Sequence, residues 1–494
     1  MFAFAPFRIF PLAIIGIILL LVTLENTSPK TGAFRGWLFG LGLFGSGIYW
    51  IFISMTVYGH LQASIALVLT VAFSGILALF PALSGYWLNR FFPHGQTTRL
   101  LLAFPALWML SEWLRSLLFT GFPWLTLGSS QILSPLKGYA PLFGVSGVSL
   151  AIVLSAGLLL KAFHEMRQKS WHEVWRALMI FTLLWGAGSV LAFIPWTHPK
   201  GSPIQVSLVQ GNIPENLKWS ADMIQPTLDI YSGLSKSHWD SDIVIWPESA
   251  IPDFLGNQQD FINKMDATAR KNHTTFITGI PIRKEDQGRY FNAVVAFGNG
   301  TGYYLKHRLV PFGEYIPFEK YLSGLLDILH IPLSGFVPDP HPAKPLLADQ
   351  LKISTFICYE AAFPEQVRFR DPDISLLLTV SNDGWFGHST AQAQHLEMAA
   401  MRALETGRPM LMVANDGPTA IINATGQIML AAPAHQPFVL TGWVQPMQGK
   451  TPWLYFGMDP ILMLSFVLLF KAWRNHRKAN RLIALETTPQ TASL

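Results

Sequence analysis

The sequence predicts a multi-pass α-helical membrane bundle plus an α/β domain. Three observations carry this. Apolar runs of about span length crowd the chain before Trp196 and return near Trp453. Residues 201–448 have the composition of an ordinary globular domain. Within that stretch, short apolar strands alternate with amphipathic helices, the pattern of an α/β fold. Charged residues make up 13% of the chain, about half the usual share of a soluble domain, and the deficit falls on the flanks.

Seven apolar stretches read as spans: residues 9–24, 36–55, 63–88, 100–118, 139–160, 177–193 and 453–472. No small-x-small cleavage site follows the first, so it reads as a retained helix. Basic residues cluster in alternate loops, as the positive-inside rule requires of cytoplasmic ones. Lys30 and Arg35, then Arg90 and Arg99, then Lys161, Arg167, Lys169 and Arg176 mark three such loops. Lys471, Arg474, Arg477, Lys478 and Arg481 mark the end of the last span, and among the other loops only Lys137 stands out. The expected organisation is a bundle of about six spans over 1–196 and an outer, periplasmic domain over 201–448. A C-terminal span over 452–472 and a cytoplasmic tail over 473–494 follow.

Within the fourth span, Glu112 and Arg115 are three apart and share a helix face. They read either as a structural ion pair or as a wall of a lipid head-group site. The adjoining loop Thr120-Gly121-Phe122-Pro123-Trp124-Leu125 reads as an interfacial aromatic anchor or as a rim that guides lipid.

Composition also narrows the chemistry. A single cysteine, Cys358, excludes an intrachain disulfide framework and a multi-cysteine zinc site. No His-Glu-x-x-His, glycine-rich phosphate loop or EF-hand loop occurs, so no metal or cofactor is called for. The net charge of +5 sits largely at the ends of apolar segments and reflects topology, not a nucleic-acid surface.

In the α/β domain, strands are expected at 204–209, 243–246, 275–278, 293–297, 352–358, 375–380, 410–413 and 419–422, and helices at 261–271 and 391–406. Met398 and Met401 lie near the apolar stripe of the second helix and read as core. Cys358 ends the run Ile353-Ser354-Thr355-Phe356-Ile357, where strand gives way to polar Tyr359-Glu360. Open α/β sheets place their chemistry at such carboxyl ends. A lone cysteine there is a buried hydrophobe or a nucleophile, and partners decide which. Glu248 follows the strand Ile243-Val244-Ile245-Trp246, where desolvation by Trp246 and Pro247 would suit it as a base. Lys306 follows a short strand, 302–305. Its ammonium could favour a thiolate and stabilise an oxyanion. Glu314 could hold that lysine by charge. Taken singly, each also reads as a solvated loop charge. A Cys–His mechanism with His388 is the rival, although no feature ties that histidine to the thiol.

Together, Glu248, Lys306 and Cys358 resemble the Glu-Lys-Cys triad of the nitrilase (carbon-nitrogen hydrolase) superfamily, in its chain order. Longer motifs resemble the apolipoprotein N-acyltransferase family of bacterial inner membranes: Val209-Gln210-Gly211-Asn212-Ile213-Pro214 with Lys218-Trp219, and Trp246-Pro247-Glu248-Ser249-Ala250-Ile251-Pro252. Lys306-His307-Arg308-Leu309-Val310-Pro311-Phe312-Gly313-Glu314, Ile357-Cys358-Tyr359-Glu360 and Ser381-Asn382-Asp383-Gly384-Trp385-Phe386-Gly387 add to it. The resemblance covers nearly the whole chain. It implies a nitrilase-like αββα sandwich and a ping-pong reaction without cofactor. An acyl chain would pass from a phospholipid, phosphatidylethanolamine by family likeness, through a Cys358 thioester to the α-amine of an S-diacylglyceryl cysteine. Glu248 would be the base and Lys306 the oxyanion stabiliser. Glu314, Tyr359, Glu360 and Trp219 would line or support the site. The family has eight spans with both ends cytoplasmic. Met1-Phe2-Ala3-Phe4-Ala5-Pro6 resembles the end of its first, so a count of seven leaves the start one span short or the N-terminus outside. The chain reads as a monomer. A membrane-tethered nitrilase-type amidase using water as acceptor, and a non-catalytic membrane scaffold, are the alternatives.

Overall fold

Helices dominate the flanks of the chain because their sequences leave no other way to satisfy backbone polar groups in an apolar medium. The computed structural model describes residues 1–93, 96–284, 288–315, 335–368 and 371–487. One unit comprises Met1–Tyr49, Val68–Ile194 and the chain from Phe456; the other comprises Trp50–Leu67 and Pro195–Tyr455. The seven longer helices of the N-terminal part are α1 (Pro11–Leu24), α2 (Pro29–Gly47), α3 (Ala63–Leu77), α4 (Leu79–Phe91), α5 (Phe104–Leu117), α6 (Ala140–Arg167) and α7 (Trp171–Ala192). Ser28 caps α2 by accepting from the Thr31 N–H, with Pro29 at the first helical position. Gly32, Gly36 and Gly40 recur every four residues along α2 and face α4. A Cβ at Gly36 would stand 2.5 Å from the Pro81 carbonyl oxygen, so the two backbones approach as only small residues permit.

Among the described residues, four helical stretches are long and apolar enough to cross a membrane: Ala63–Phe91, Arg99–Thr120, Pro135–Arg167 and Trp171–Ala192. A fifth forms if Pro29–Gly47 and Trp50–Tyr58, bent by 50°, count as one. α1 has 14 residues, about 21 Å of rise against about 30 Å of hydrocarbon. The expected last span is interrupted: a short helix, Pro452–Phe456, stops at Gly457 with φ of +57°, and a new one runs Asp459–Thr487. Its apolar stretch ends at Lys471 and Arg474.

Glu112 and Arg115 are both buried and serve the loop that follows α5. Glu112 accepts from Trp108 Nε1 at 3.1 Å and from the Leu127 N–H at 2.9 Å. Arg115 donates to the carbonyls of Phe122, at 2.7 Å, and Trp124. Trp124 and Leu125 are buried, so this loop is folded inward rather than lying as an exposed aromatic anchor.

Among its described residues the α/β unit holds two large sheets, besides two-stranded pairings of His198–Pro199 with Met447–Gln448 and of Ile282–Arg283 with Tyr290–Phe291. The strands of the large sheets are β1 (Ile204–Gln210), β2 (Ile243–Ile245), β3 (Thr275–Gly279), β4 (Ala293–Gly298), β5 (Gly300–Thr301), β6 (Tyr303–Leu305), β7 (Leu346–Ala348), β8 (Leu351–Ile357), β9 (Ile374–Ser381), β10 (Met410–Ala414), β11 (Ala420–Ile422), β12 (Ile428–Ala431) and β13 (Phe438–Val444). The first sheet has the order β13-β1-β2-β3-β4-β6 and the second β12-β11-β10-β9-β8-β7-β5. β1, β2 and β3 run parallel in one, and β8, β9 and β10 run parallel in the other. Alternation assigns the faces. Val206, Leu208, Ile243 and Ile245 meet Ile353, Ile357, Leu378 and Val413 in the core between the sheets. Val209, Val244 and Trp246 point the other way, against Leu228 and Tyr231 of α8 (Ala221–Ser235) and Ile262 and Met265 of α9 (Gln259–Lys271). On the second sheet, α10 (Ala391–Thr406) packs against β10 and the turn after β8, with Met398 and Met401 buried in the core as expected. The layers run helix, sheet, sheet, helix.

Several features of this unit lie outside the sequence expectations, among them β5, β7, β12 and β13. α8 carries Pro226 within it. The segment Trp50–Leu67 belongs to this unit by its contacts. Its Trp50 meets Phe386 edge-on at 4.8 Å, Tyr58 meets Trp385 at 5.7 Å, and Ser54 Oγ donates to the Trp385 carbonyl at 2.7 Å.

Candidate active site

Glu248, Lys306 and Cys358 each leave the carboxyl end of a strand, those of β2, β6 and β8. Cys358 opens a tight turn, Cys358–Ala362, with φ of +52°. A non-glycine residue in that region is strained and persists only where its surroundings hold it. Ser249, beside Glu248, has φ of +47°. Gly279 at the end of β3 lets the Glu248 turn approach: a Cβ there would stand 2.8 Å from Glu248 Cα.

Lys306 is fully buried, and its Nζ donates to Glu314 Oε1 at 2.7 Å and to Glu248 Oε1 at 3.3 Å. Asn292 Nδ2 bridges the same two carboxylates, at 2.7 Å from Glu248 Oε1 and 3.1 Å from Glu314 Oε1. Glu314 Oε2 accepts from the Val310 N–H at 2.8 Å, which closes the loop carrying it. Burial pulls the Lys306 ammonium down, but Glu248, Glu314 and the Cys358 sulfur outweigh it and hold the group above its ordinary value. Lys306 therefore stays charged. Two of its three N–H bonds are directed to the carboxylates, which leaves one for a reacting oxygen.

Cys358 is half-buried and free. Burial and then the charge of Glu248 push its thiol well above its ordinary value; Lys306 pulls the other way, Asp383 adds to the push, and the Ser381 hydroxyl bonds to the sulfur. The resting group is thus a thiol beside a carboxylate, and sulfur becomes nucleophilic as the proton leaves.

Glu360, expected to support the site, has no exposed surface. Its Oε1 accepts from the backbone N–H groups of His307 at 2.8 Å and Arg308 at 3.0 Å. Its Oε2 accepts from Tyr304 Oη and the Ile357 N–H, both at 2.8 Å. One carboxylate thereby joins the Lys306 loop to the Cys358 turn. Tyr359 packs edge-on against Phe363 at 5.0 Å, with the Arg308 guanidinium 4.2 Å above the same Phe363 ring. Trp219 is 47% exposed, with the Lys218 ammonium 6.0 Å from its ring centre.

Sequence reasoning missed four contributors. Asn292 bridges the carboxylates. Lys218, fully buried, donates to the Glu248 carbonyl at 3.0 Å and fixes the base's backbone. Ser381 ends β9 beside the sulfur. His395 of α10 places Nε2 at 3.1 Å from the Cys358 carbonyl oxygen and Nδ1 at 2.9 Å from Asp383 Oδ2. Both partners of that ring accept, so both nitrogens must donate and the ring is the cation. Burial opposes this, but Asp383 prevails and the His395 pKa is raised. His395 thus grips the backbone of the strained cysteine. The rival, His388, instead lies tilted against His435 with ring centres 4.0 Å apart.

Residues 1–158 match the N-terminal domain family of apolipoprotein N-acyltransferases, and residues 205–448 match the carbon-nitrogen hydrolase family. A protein of Coxiella burnetii named apolipoprotein N-acyltransferase is 40% identical over 472 residues, covering 95% of this chain and 97% of its own. The chain belongs to the apolipoprotein N-acyltransferase family. Proteins of that name from Pseudomonas putida, 41% identical over 94% of this chain and 93% of theirs, and Vibrio cholerae, 38% identical over 96% and 95%, are equally co-extensive. Among solved structures, a carbon-nitrogen hydrolase from Helicobacter pylori G27 aligns with 49% of this chain and 90% of its own at 16% identity and a TM-score of 0.38. The family assignment makes this a membrane-bound acyltransferase built on a nitrilase-like domain.

Proposed function

We propose that the Glu248–Lys306–Cys358 cluster carries an acyl chain from a phospholipid to the α-amine of an S-diacylglyceryl cysteine at a lipoprotein N-terminus. The observation that carries the reading is the Lys306 ammonium, shared by the buried Glu248 and the partly buried Glu314 carboxylates beside the chain's one thiol. Glu248 takes the thiol proton as sulfur attacks the ester carbonyl. The remaining Lys306 N–H holds the oxyanion. Collapse expels the lysophospholipid alkoxide, Glu248 returns the proton to it, and a Cys358 thioester remains. In the second half the acceptor amine attacks the thioester, again against Lys306; the amine proton passes by way of Glu248 to the departing thiolate. Charges and atoms balance without metal or redox partner.

Phosphatidylethanolamine is the donor this reading favours, and the chain acts as a monomer. The basic loops support a periplasmic α/β domain, over 201–448, on an inner-membrane bundle. Incubation of the full chain with phosphatidylethanolamine, followed by intact-mass analysis, tests the first half. Wild type should gain one acyl chain and Cys358→Ser none. No gain in wild type, or an equal gain in both, contradicts it. Hydrolysis of small amides with no acyl adduct from lipid would favour a water-using amidase.

A further inference from the structure

The helical unit contains a cavity of about 520 Å³ that opens at its surface, walled by Trp87, Phe91, Leu107, Leu110, Phe470 and Trp473 among others. The volume lies within the roughly 300–1,000 Å³ of small-molecule sites, and the wall is almost wholly apolar. Two of its rings carry a guanidinium: Arg90 lies 5.7 Å above Phe91, and Arg477 lies 4.4 Å above Trp473. Arg474, four residues after Phe470, lies on that ring's side of the helix Asp459–Thr487. Arg90, Arg474 and Arg477 are exposed, and neither residues 79–91 nor 460–478 contain a carboxylate. An apolar slot with a cationic rim selects an amphiphile with an anionic head.

We propose that this cavity seats one acyl chain of an anionic phospholipid, with its phosphate held by Arg90 and Arg477. Glu248, Lys306 and Cys358 contribute nothing to the wall, so this lipid is a resident of the bundle and not the acyl donor. The proposal stands whatever the fate of the thioester.

The test is native mass spectrometry of the full chain released from detergent micelles, with dioleoyl-phosphatidylglycerol or dioleoyl-phosphatidylcholine added. Wild type should retain one phosphatidylglycerol, favoured over phosphatidylcholine by roughly ten- to thirtyfold, as two basic contacts imply. Arg90→Gln with Arg477→Gln should bring that ratio near unity. Leu110→Trp, which fills the slot, should abolish retention of both lipids. If the tryptophan variant fails to fold, the double glutamine variant decides, since its side chains are exposed. Equal retention of the two lipids by wild type, or a preference that survives the double substitution, overturns the proposal.

Discussion

Two charges bear on the Cys358 sulfur in opposite senses, and this makes their roles separable. Glu248 raises the thiol's pKa and Lys306 lowers it. Glu248→Gln should therefore speed alkylation of Cys358 by iodoacetamide at mildly alkaline pH, while Lys306→Met should slow it. Acyl transfer should fall in both, by about 10²–10⁴ where the base is lost and about 10²–10³ where the oxyanion donor is lost. Identical alkylation rates in wild type and both variants would show that neither charge reaches the sulfur. Glu248, Lys306 and Cys358 were legible because each follows an apolar strand abruptly. Asn292 and His395 were not. Their roles arise from contacts across 44 and 37 residues, and nothing in Phe291-Asn292-Ala293 or Gln394-His395-Leu396 marks them locally.

Between elements, Glu360 is the tie. It answers backbone donors from the end of β8 and from the loop after β6 with one buried side chain. Glu360→Ala orphans three N–H groups at about 1 kcal/mol or more each. Thermal unfolding should register a loss of at least about 3 kcal/mol, and acyl-enzyme formation should fall with it; an unchanged melting temperature would deny the tie. The strands that were expected fall within a residue or two of their places because alternation and flanking turns mark them, whereas β5, β7, β12 and β13 were not read. α8 was not among the expected helices, although Ile224, Leu228 and Tyr231 repeat at helical spacing behind Ser220. The breaks inside the apolar stretches were not legible. Apolar composition persists through Gly47–Tyr49 and through Gly457–Met458, but the helix does not. Composition reports the medium; glycine and proline decide where the backbone breaks.

Across the whole molecule, family membership, the αββα layering and the bundle were all written in motif and composition. The grouping of Trp50–Leu67 with the α/β unit was not, because it depends on rings far apart in sequence. The buried His395–Asp383 pair gives folding a pH signature. The His395 pKa is raised above its usual 6.5, so its contribution is fully present below about that pH and is lost as pH climbs through the raised value. Wild-type melting temperature should fall over that window, and Asp383→Asn should be less stable at low pH and flatter across it. Equal slopes in the two proteins would remove His395 as the source. The central claim is that Cys358 carries an acyl chain between a lipid ester and an amine. Acyl-enzyme formed from phosphatidylethanolamine should be freed of excess lipid, mixed with a diacylglyceryl-cysteinyl peptide, and followed by intact mass. The account predicts that the adduct leaves the protein and appears as an amide on the peptide's N-terminus. Release as free fatty acid at the same rate with or without the peptide would contradict it.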